Sequence, residues 1–255
     1  MDGLQESGRY TFTREEATDS CSLSEIAFRH AALRLQKQNR LAAPRRGFFV
    51  IVPLEYRSAG APPPAWYIDA LMRFHGRPYY VGLLSAAALH GAAHQQAQEF
   101  QVITDRALRP AIVGRTQLRF FYKRHHAQTP TVALKVETGT MLVSSPEATA
   151  FDLVRYALAA GGFGNIVSVL AELAEKIDPE RLLRAAETEP ELAAVQRCGL
   201  LLELAGAGDK VGQLANWIAD RKPRTIPLRA DRDAQGAVRS QRWRVLLNER
   251  IEVEE

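Results

Sequence analysis

The sequence predicts an α+β fold, and three patterns support this prediction. Near the N-terminus, two helical segments precede two short apolar runs at 41–43 and 47–52 that suit strands. Between residues 99 and 143, short β-prone runs alternate with turn residues, which favours an antiparallel or mixed sheet. From 145 to 219, apolar residues recur at helical spacing and predict a set of helices.

Length and composition limit the classes of protein that need to be considered. With 255 residues, of which 46% are hydrophobic, the chain can form one large domain or two small ones. Its two cysteines, Cys21 and Cys198, lie far apart, which disfavours a disulfide scaffold or a cysteine zinc site and suits the reducing cytoplasm. The N-terminus is polar and no apolar run approaches the ~20 residues of a membrane span, so we expect a cytoplasmic protein.

Two N-terminal helices have clear start signals. Thr13 followed by Glu16 makes a capping box for a short helix, and Ser24 caps a second helix predicted over 25–38. The inner face of this second helix is predicted from residues at helical spacing, which are Ala27, Phe28, Ala31, Ala32 and Leu35. Asn39 can adopt the left-handed conformation that ends a helix.

Helix, turn, helix and then a strand pair with a basic tip is the order of a winged helix-turn-helix. The tip is Pro44-Arg45-Arg46, which can reach phosphates or the minor groove, while the second helix can enter the major groove. The net charge of +4 and the pI near 9.2 fit nucleic-acid binding without establishing it. The candidate DNA-contacting residues are Arg29, His30, Arg34, Lys37, Arg45 and Arg46.

The predicted domains are a winged-helix head (residues 1–53), a small-residue and proline-rich linker (54–64) and a larger α+β body (65–255). Within the body, residues 66–74 predict a helix that buries Phe74, among others. The uncharged segment 79–91 predicts a strand followed by a helix buried on both faces. Ser145 is the predicted N-cap of a helix over 146–159 that buries Leu158.

The body offers few candidates for chemistry, and no catalytic, metal-binding or cofactor-binding residue is assigned. His90 and His94 have a spacing that can place two metal ligands on one helix face, but Gly91 weakens that helix, and packed or solvated histidines are expected. Glu147 and Asp152 lie five residues apart, which turns them away from each other around a helix. The position of Glu147 in a first helical turn is explained by the helix dipole.

Two basic regions of the body remain open to more than one interpretation. The stretch Arg106–His126 interleaves cations with Phe120, Phe121 and Tyr122. It fits a second surface for nucleic acid or for an acidic partner, and equally a sheet with inward aromatics and cations in water. The arginine-rich tail (residues 221–255) contains a predicted mobile loop over 230–241. The positive charge of this loop would attract anionic partners non-specifically.

Four segments together resemble the AbiEi family of antitoxins from type IV abortive-infection toxin–antitoxin systems. They are residues 83–91 (LLSAAALHG), 143–153 (VSSPEATAFDL), 195–203 (VQRCGLLLE) and 243–248 (WRVLLN). The resemblance implies that the winged helix binds inverted repeats in the operon's own promoter and represses it. It also implies that the C-terminal domain neutralises a cognate toxin with a nucleotidyltransferase-like fold. Binding to an inverted repeat would need two heads, so a homodimer on double-stranded DNA is expected.

The expected function is therefore that of an antitoxin and autorepressor without catalysis of its own. One alternative is a DNA-targeted, metal-dependent nuclease that uses Glu137, Glu147 or Asp152. Another is a stand-alone transcriptional regulator that has no toxin partner.

Overall fold

The computed structural model describes residues 1–92 and 99–251, and these form a mixed α and β structure, as predicted. The helices are α1 (Asp2–Glu6), α2 (Arg14–Cys21), α3 (Glu25–Lys37), α4 (Ile68–Phe74), α5 (Leu83–Leu89), α6 (Pro146–Arg155), α7 (Gly162–Leu173), α8 (Pro179–Thr188), α9 (Leu192–Leu204) and α10 (Gly212–Asp220). The strands are β1 (Thr11–Thr13), β2 (Leu41–Arg45), β3 (Phe48–Ile51), β4 (Tyr79–Val81), β5 (Glu99–Thr104), β6 (Ala111–Val113), β7 (Thr116–Tyr122), β8 (Thr131–Val136), β9 (Gly139–Ser144), β10 (Ile226–Pro227), β11 (Val238–Ser240) and β12 (Val245–Leu247).

The described chain forms two compact units. The first consists of Met1–Val81, residues 99–124 and Ala133–Val143, and the second of residues 82–92, His125–Val132 and residues 144–251. The division into head, linker and body stays a prediction. Residues 54–64, the predicted linker, contain a 3-10 turn at Leu54–Tyr56, and the carbonyl of Ala59 accepts a hydrogen bond from the Arg115 amide at 3.0 Å.

The head contains a small antiparallel sheet with two helices inserted between its first and second strands. The sheet order is β1-β3-β2, and Thr13 lies opposite Phe48. Its core consists of Phe12, Phe28, Ala32, Leu41, Phe49 and Ile51, all of them buried. Because α2 and α3 connect β1 to β2, the inner face of α3 packs on this core.

The caps predicted for the head helices are confirmed. The Thr13 hydroxyl accepts a hydrogen bond from the Glu16 amide at 3.1 Å, and the Glu16 carboxylate accepts one from the Thr13 amide at 2.7 Å. These contacts, together with Arg9, hold the pKa of Glu16 below its usual value. Ser24 caps α3 by accepting from the Ala27 amide, and Asn39 has a φ of 51°, in the left-handed region.

A six-stranded sheet follows in the first unit, and it is mixed, as predicted. Its order is β6-β7-β5-β4-β9-β8. The β5–β7 and β4–β9 pairs are parallel, whereas β4–β5 and β6–β7 are antiparallel. Sequence neighbours such as β5 and β6 are therefore not always neighbours in the sheet.

Four predictions of burial are wrong. Ala27, which was expected on the inner face of α3, is exposed. Phe74 is 40% exposed, although its ring packs against Phe48 with 5.3 Å between centroids. The segment 79–91 is not buried on both faces, because Leu89 in the last turn of α5 is 40% exposed. Helix α6 ends at Arg155, so Leu158 lies in a turn beyond it and is 84% exposed.

The second unit is mainly helical, and its C-terminal strands form a sheet of order β10-β12-β11. Strand β11 pairs antiparallel with β12, with Val238 opposite Leu247, so part of the predicted mobile loop 230–241 is a strand. The side chain of Asn248 forms hydrogen bonds with the backbone of the preceding loop. Its Oδ1 accepts from the Arg229 amide at 2.9 Å, and its Nδ2 donates to the Arg229 carbonyl at 2.8 Å.

Trp243, which is fully buried, is held by one face of α9. Gln196 Nε2 donates to the Trp243 carbonyl at 2.9 Å, and the indole Nε1 donates to Glu203 at 2.6 Å. Between these residues, Gly199 leaves room for the ring, since a Cβ atom there would lie 2.1 Å from Trp243 Cζ3. A glycine is therefore required at this position by packing.

None of the helices within residues 1–92 and 99–251 has the length and hydrophobicity that a membrane span requires.

We expect Gly199→Ala to destabilise the protein by about 2 kcal/mol or more, because the added methyl group overpacks a buried tryptophan. Urea unfolding followed by tryptophan fluorescence measures the loss. Gly208→Ala is the matched control, since a Cβ there meets nothing within 4 Å. Its free energy of unfolding should stay within about 0.5 kcal/mol of wild type. Equal stability of the two variants would contradict the packing role of Gly199.

Candidate nucleic-acid interface

The outer face of α3 carries the predicted helix contacts. Phe28 and Ala32 are buried on the inner face of the helix. On the opposite face the four predicted contact residues are solvent-exposed: Arg29, His30, Arg34 and Lys37. Within the part of the chain that the structure describes, none of these four side chains forms an ion pair. The charges of Arg29, Arg34 and Lys37 are therefore available to an anionic partner.

Two exposed aliphatic residues share this outer face and were missed in the sequence analysis. Ile26 is 65% exposed and Leu33 is 48% exposed. They lie seven residues apart, which is close to two helical turns, and this places them on one line along the helix. Ile26 lies two residues before Phe28 and Leu33 lies five residues after it, so in a helix both fall opposite the inner face. This position relative to Phe28 is the signal in the sequence that could have identified them.

The structure separates the two arginines that the sequence places at the hairpin tip. Strands β2 and β3 pair from Arg45 opposite Phe48, so Arg46 and Gly47 form the turn, and Gly47 has a φ of 87°, which favours glycine. Arg46 is exposed at this turn. It is the arginine that the hairpin presents to solvent.

Arg45 is half-buried and engaged by its own chain. Its guanidinium donates to the carbonyl oxygens of Arg109 and Pro110, the latter at 3.3 Å, and lies 5.6 Å from the centre of the Phe120 ring. Burial lowers its pKa from the ordinary arginine value. The expectation of an outward-reaching Arg45 side chain therefore does not match its observed position.

Helix α3 and the β2–β3 hairpin line a common groove of about 460 Å³. Ile26, Arg29 and Leu33 contribute from the helix, and Arg46 contributes from the hairpin. One ligand can therefore contact both elements. The groove combines cationic side chains and an aliphatic stripe with one carboxylate, that of Glu25.

The basic stretch of the body is organised differently. Arg119 donates to both carboxylate oxygens of Glu99, at 3.1 and 3.0 Å, and Lys123 is buried. Tyr122 is 51% exposed, so the interpretation with all aromatics facing inward is wrong for this residue. Four arginines of the stretch are exposed: Arg106, Arg109, Arg115 and Arg124.

Of the three acidic residues considered for chemistry, Glu147 has well-defined structural contacts. Glu147 is 1% exposed and accepts hydrogen bonds from the Asp178 amide at 3.2 Å and from Arg181 Nε at 3.0 Å. Asp152 is fully buried, and Glu137 is exposed. Across residues 1–92 and 99–251, no three His, Cys, Asp or Glu side chains are grouped so that they could hold a metal ion.

His90 also has a structural contact. Its Nε2 lies 2.7 Å from the Ser144 carbonyl oxygen, which connects the end of α5 to the last residue of β9, just before α6. His94, which was considered together with His90 as a possible pair of metal ligands, lies outside the described residues. The contact joins two of the segments that carried the family resemblance, 83–91 and 143–153.

These segments define the class of protein. Residues 80–204 match the family model described as the AbiEi antitoxin C-terminal domain, so this part of the chain is an antitoxin domain. This part of the chain belongs to the AbiEi antitoxin family, as the resemblance predicted. Membership supports an antitoxin role in a type IV toxin–antitoxin system.

Solved structures extend the comparison of the fold beyond this domain. The crystal structure of the RV2827C protein from Mycobacterium tuberculosis has a TM-score of 0.67 and 17% sequence identity, and the match covers 96% of this chain and 88% of that one. At this identity the likeness shows a shared fold over nearly the whole chain. No curated protein sequence matches the chain.

A second structural match is much weaker. The solution structure of the antibiotic-resistance factor ANT(2'')-Ia has a TM-score of 0.28 and 12% identity over 61% of this chain and 94% of that one. A score of this size carries no argument about fold or function.

We expect Arg45→Ala to lower stability by about 1 kcal/mol, because it removes hydrogen bonds from a charged donor to two carbonyl groups at a half-buried site. Arg46→Ala is the matched control, with the same charge change at an exposed position, and should change stability by less than about 0.5 kcal/mol. Thermal unfolding of both variants measures the difference. Identical melting temperatures would show that the Arg45 contacts do not brace the hairpin.

Proposed function

We propose that this antitoxin also binds the promoter of its own operon and represses it, through a winged helix-turn-helix formed by residues 1–53. The order β1, α2, α3, β2, β3 supports this assignment, with α3 as recognition helix and the β2–β3 hairpin as wing. The observation that carries the proposal is the outer face of α3, where Arg29, Arg34 and Lys37 are exposed and without ion pairs among the described residues, with His30 exposed beside them.

The proposed contacts divide between bases and phosphates. Arg29, His30 and Arg34 project from a helix of a width that the major groove admits, where arginine and polar side chains meet base edges. Lys37 and Arg46 suit phosphate contacts, which fix the orientation of a protein on the duplex. Arg45 acts mainly by holding the hairpin beside α3, since its guanidinium is engaged by carbonyl groups.

The arrangement on DNA follows from the expected operator. An inverted repeat presents two equal half-sites, so two copies of the chain would bind, each with one head, as a homodimer on double-stranded DNA. Steep salt dependence is expected, because neutralising phosphates releases counterions.

The proposed protein partner is a toxin with a nucleotidyltransferase-like fold, encoded beside the antitoxin. This partner is what the family resemblance implies, and the AbiEi domain at 80–204 supports it. The exposed arginines of the basic stretch offer a surface for acidic groups of such a partner. This role is consistent with neutralisation through direct contact with the toxin and with neutralisation that involves no direct contact.

Two of the DNA contacts can be tested individually. Arg29→Ala should weaken binding to the upstream operon DNA by about 1–3 kcal/mol, the range for loss of a base-reading arginine. Arg46→Ala should weaken binding to all sequences and reduce the slope of log K against log salt by about 1, as expected for one phosphate contact. Fluorescence anisotropy across a salt series measures both effects.

Arg184→Ala is the control for these variants, because it removes an exposed arginine of α8 from the second unit. Its affinity for DNA should equal that of wild type. If all three variants bound alike, α3 and the hairpin would not be the interface. The duplex should also stay intact with magnesium or manganese, and cleavage that disappears in Asp152→Asn would instead favour the nuclease.

The antitoxin role has a separate test in cells. Expression of the neighbouring toxin gene should arrest growth, and co-expression of this chain should restore it. An Arg29→Ala, Arg34→Ala, Arg46→Ala triple variant should still restore growth when both genes are driven by unrelated promoters, while it fails to repress a reporter under the native promoter. Absence of rescue by wild type would contradict the antitoxin role and favour a stand-alone regulator.

A further inference from the structure

The outer face of α3 carries an aliphatic stripe within its cationic residues. Ile26, in the first turn of the helix, is 65% exposed, and Leu33, two turns later, is 48% exposed. A single exposed aliphatic residue needs no explanation on a protein surface. Two on one line of a 13-residue helix, both lining the groove beside the hairpin, suggest a partner that covers them.

The charges around the stripe limit what that partner is. Arg29 lies between Ile26 and Leu33 along the helix, and Arg34 and Lys37 follow on the same face. A second copy of this face would bring like charges together, which is unfavourable. A polyanion with apolar groups at its surface satisfies both the cations and the aliphatic side chains.

The major groove of DNA has this combination. Phosphates border the groove, and the C5-methyl group of thymine is the apolar feature on its floor, where it packs against aliphatic side chains. First-turn residues of a recognition helix are the ones that reach base edges. In α3 the first turn presents Ile26 and the exposed Ala27 beside Glu25, whose carboxylate lies 3.8 Å from the Arg14 guanidinium.

We infer that Ile26 and Leu33 read thymine methyl groups in each operator half-site, an inference that rests on the proposed DNA binding and adds its sequence preference. Seven helical residues span about 10 Å, at 1.5 Å each. This distance corresponds to about three base-pair steps of 3.4 Å. The half-site therefore contains thymines in the major groove about three base pairs apart, with the neighbouring positions read by arginine.

Deoxyuridine provides a direct test, because it pairs like thymidine and lacks only the methyl group. The segment of the native upstream DNA that the full-length protein protects from nuclease is first mapped by footprinting. Duplexes of this segment are then made with dU at each thymine in turn and at all thymines together. Binding is measured by anisotropy for wild type and variants.

For wild type, dU at a contacted position should weaken binding roughly fourfold, the effect of one buried methyl-sized group. Ile26→Ala should weaken binding to the thymine duplex and abolish the difference between dT and dU at one position per half-site. Leu33→Ala should abolish it at a second position about three base pairs away. Both variants should fold normally, as judged by circular dichroism, because both side chains are exposed.

Leu158→Ala is the matched control, since Leu158 is 84% exposed and lies in the second unit. It should retain both the affinity and the dT preference of wild type. Wild-type protein that binds dT and dU duplexes equally would overturn the inference and leave the proposed DNA binding intact. Protein that binds no duplex would refute both.

Two further outcomes also count against the inference. Equal weakening of dT and dU binding by Ile26→Ala would show that the side chain supports the helix rather than reads a methyl group. If the variants bind DNA like wild type and instead lose rescue of toxin-expressing cells, a protein partner covers the stripe.

Discussion

The packing of three phenylalanines in the head decides which residues α3 presents to solvent. The rings of Phe12 and Phe49 stack with 5.4 Å between centroids, and Phe28 meets Phe49 edge-on at 5.3 Å. Because Phe28 is the large buried side chain of α3, this contact fixes the rotation of the helix about its axis. Ile26 lies about 160° away from Phe28 at 100° per residue, so the outer face follows from the position of one ring. The proposed DNA contacts and the aliphatic stripe both depend on it.

In the second unit, the segments that carried the family resemblance contact one another through buried or hydrogen-bonded side chains. His90 in the first segment meets the carbonyl of Ser144 in the second, and Gln196 and Glu203 in the third bind Trp243 in the fourth. Their residue types are explained by packing and hydrogen bonding rather than by catalysis. A resemblance carried by such contacts identifies a fold reliably, which agrees with the domain match over 80–204. It says less about the surface that meets a partner.

Local features of the fold could be predicted from the sequence, because their causes lie within a few residues. The capping box of Thr13, the caps at Ser24 and Ser145, and the left-handed Asn39 are all observed where predicted. Contacts between distant residues could not be predicted. The carbonyl groups that engage Arg45 lie 64 and 65 positions away. The ring that requires Gly199 comes from the tail. Neither contact leaves a periodic pattern in the sequence. Arg45 and Arg46 therefore look equivalent in the sequence, and only the position of the hairpin beside β6 distinguishes them.

The position of charges matters more for the proposed DNA contact than their total. The head acids Glu15 and Glu16 occupy the first turn of α2, where the helix dipole favours them, and Glu16 also completes the cap and pairs with Arg9 at 2.8 Å. Their charge is thus used within the head. The cations of α3 have no such partners among the described residues. A net charge of +4 for the whole chain therefore understates the field at the outer face of α3, where a phosphate backbone would meet it. Cations on this face would supply attraction to any duplex, and the aliphatic stripe among them would supply the preference for particular bases.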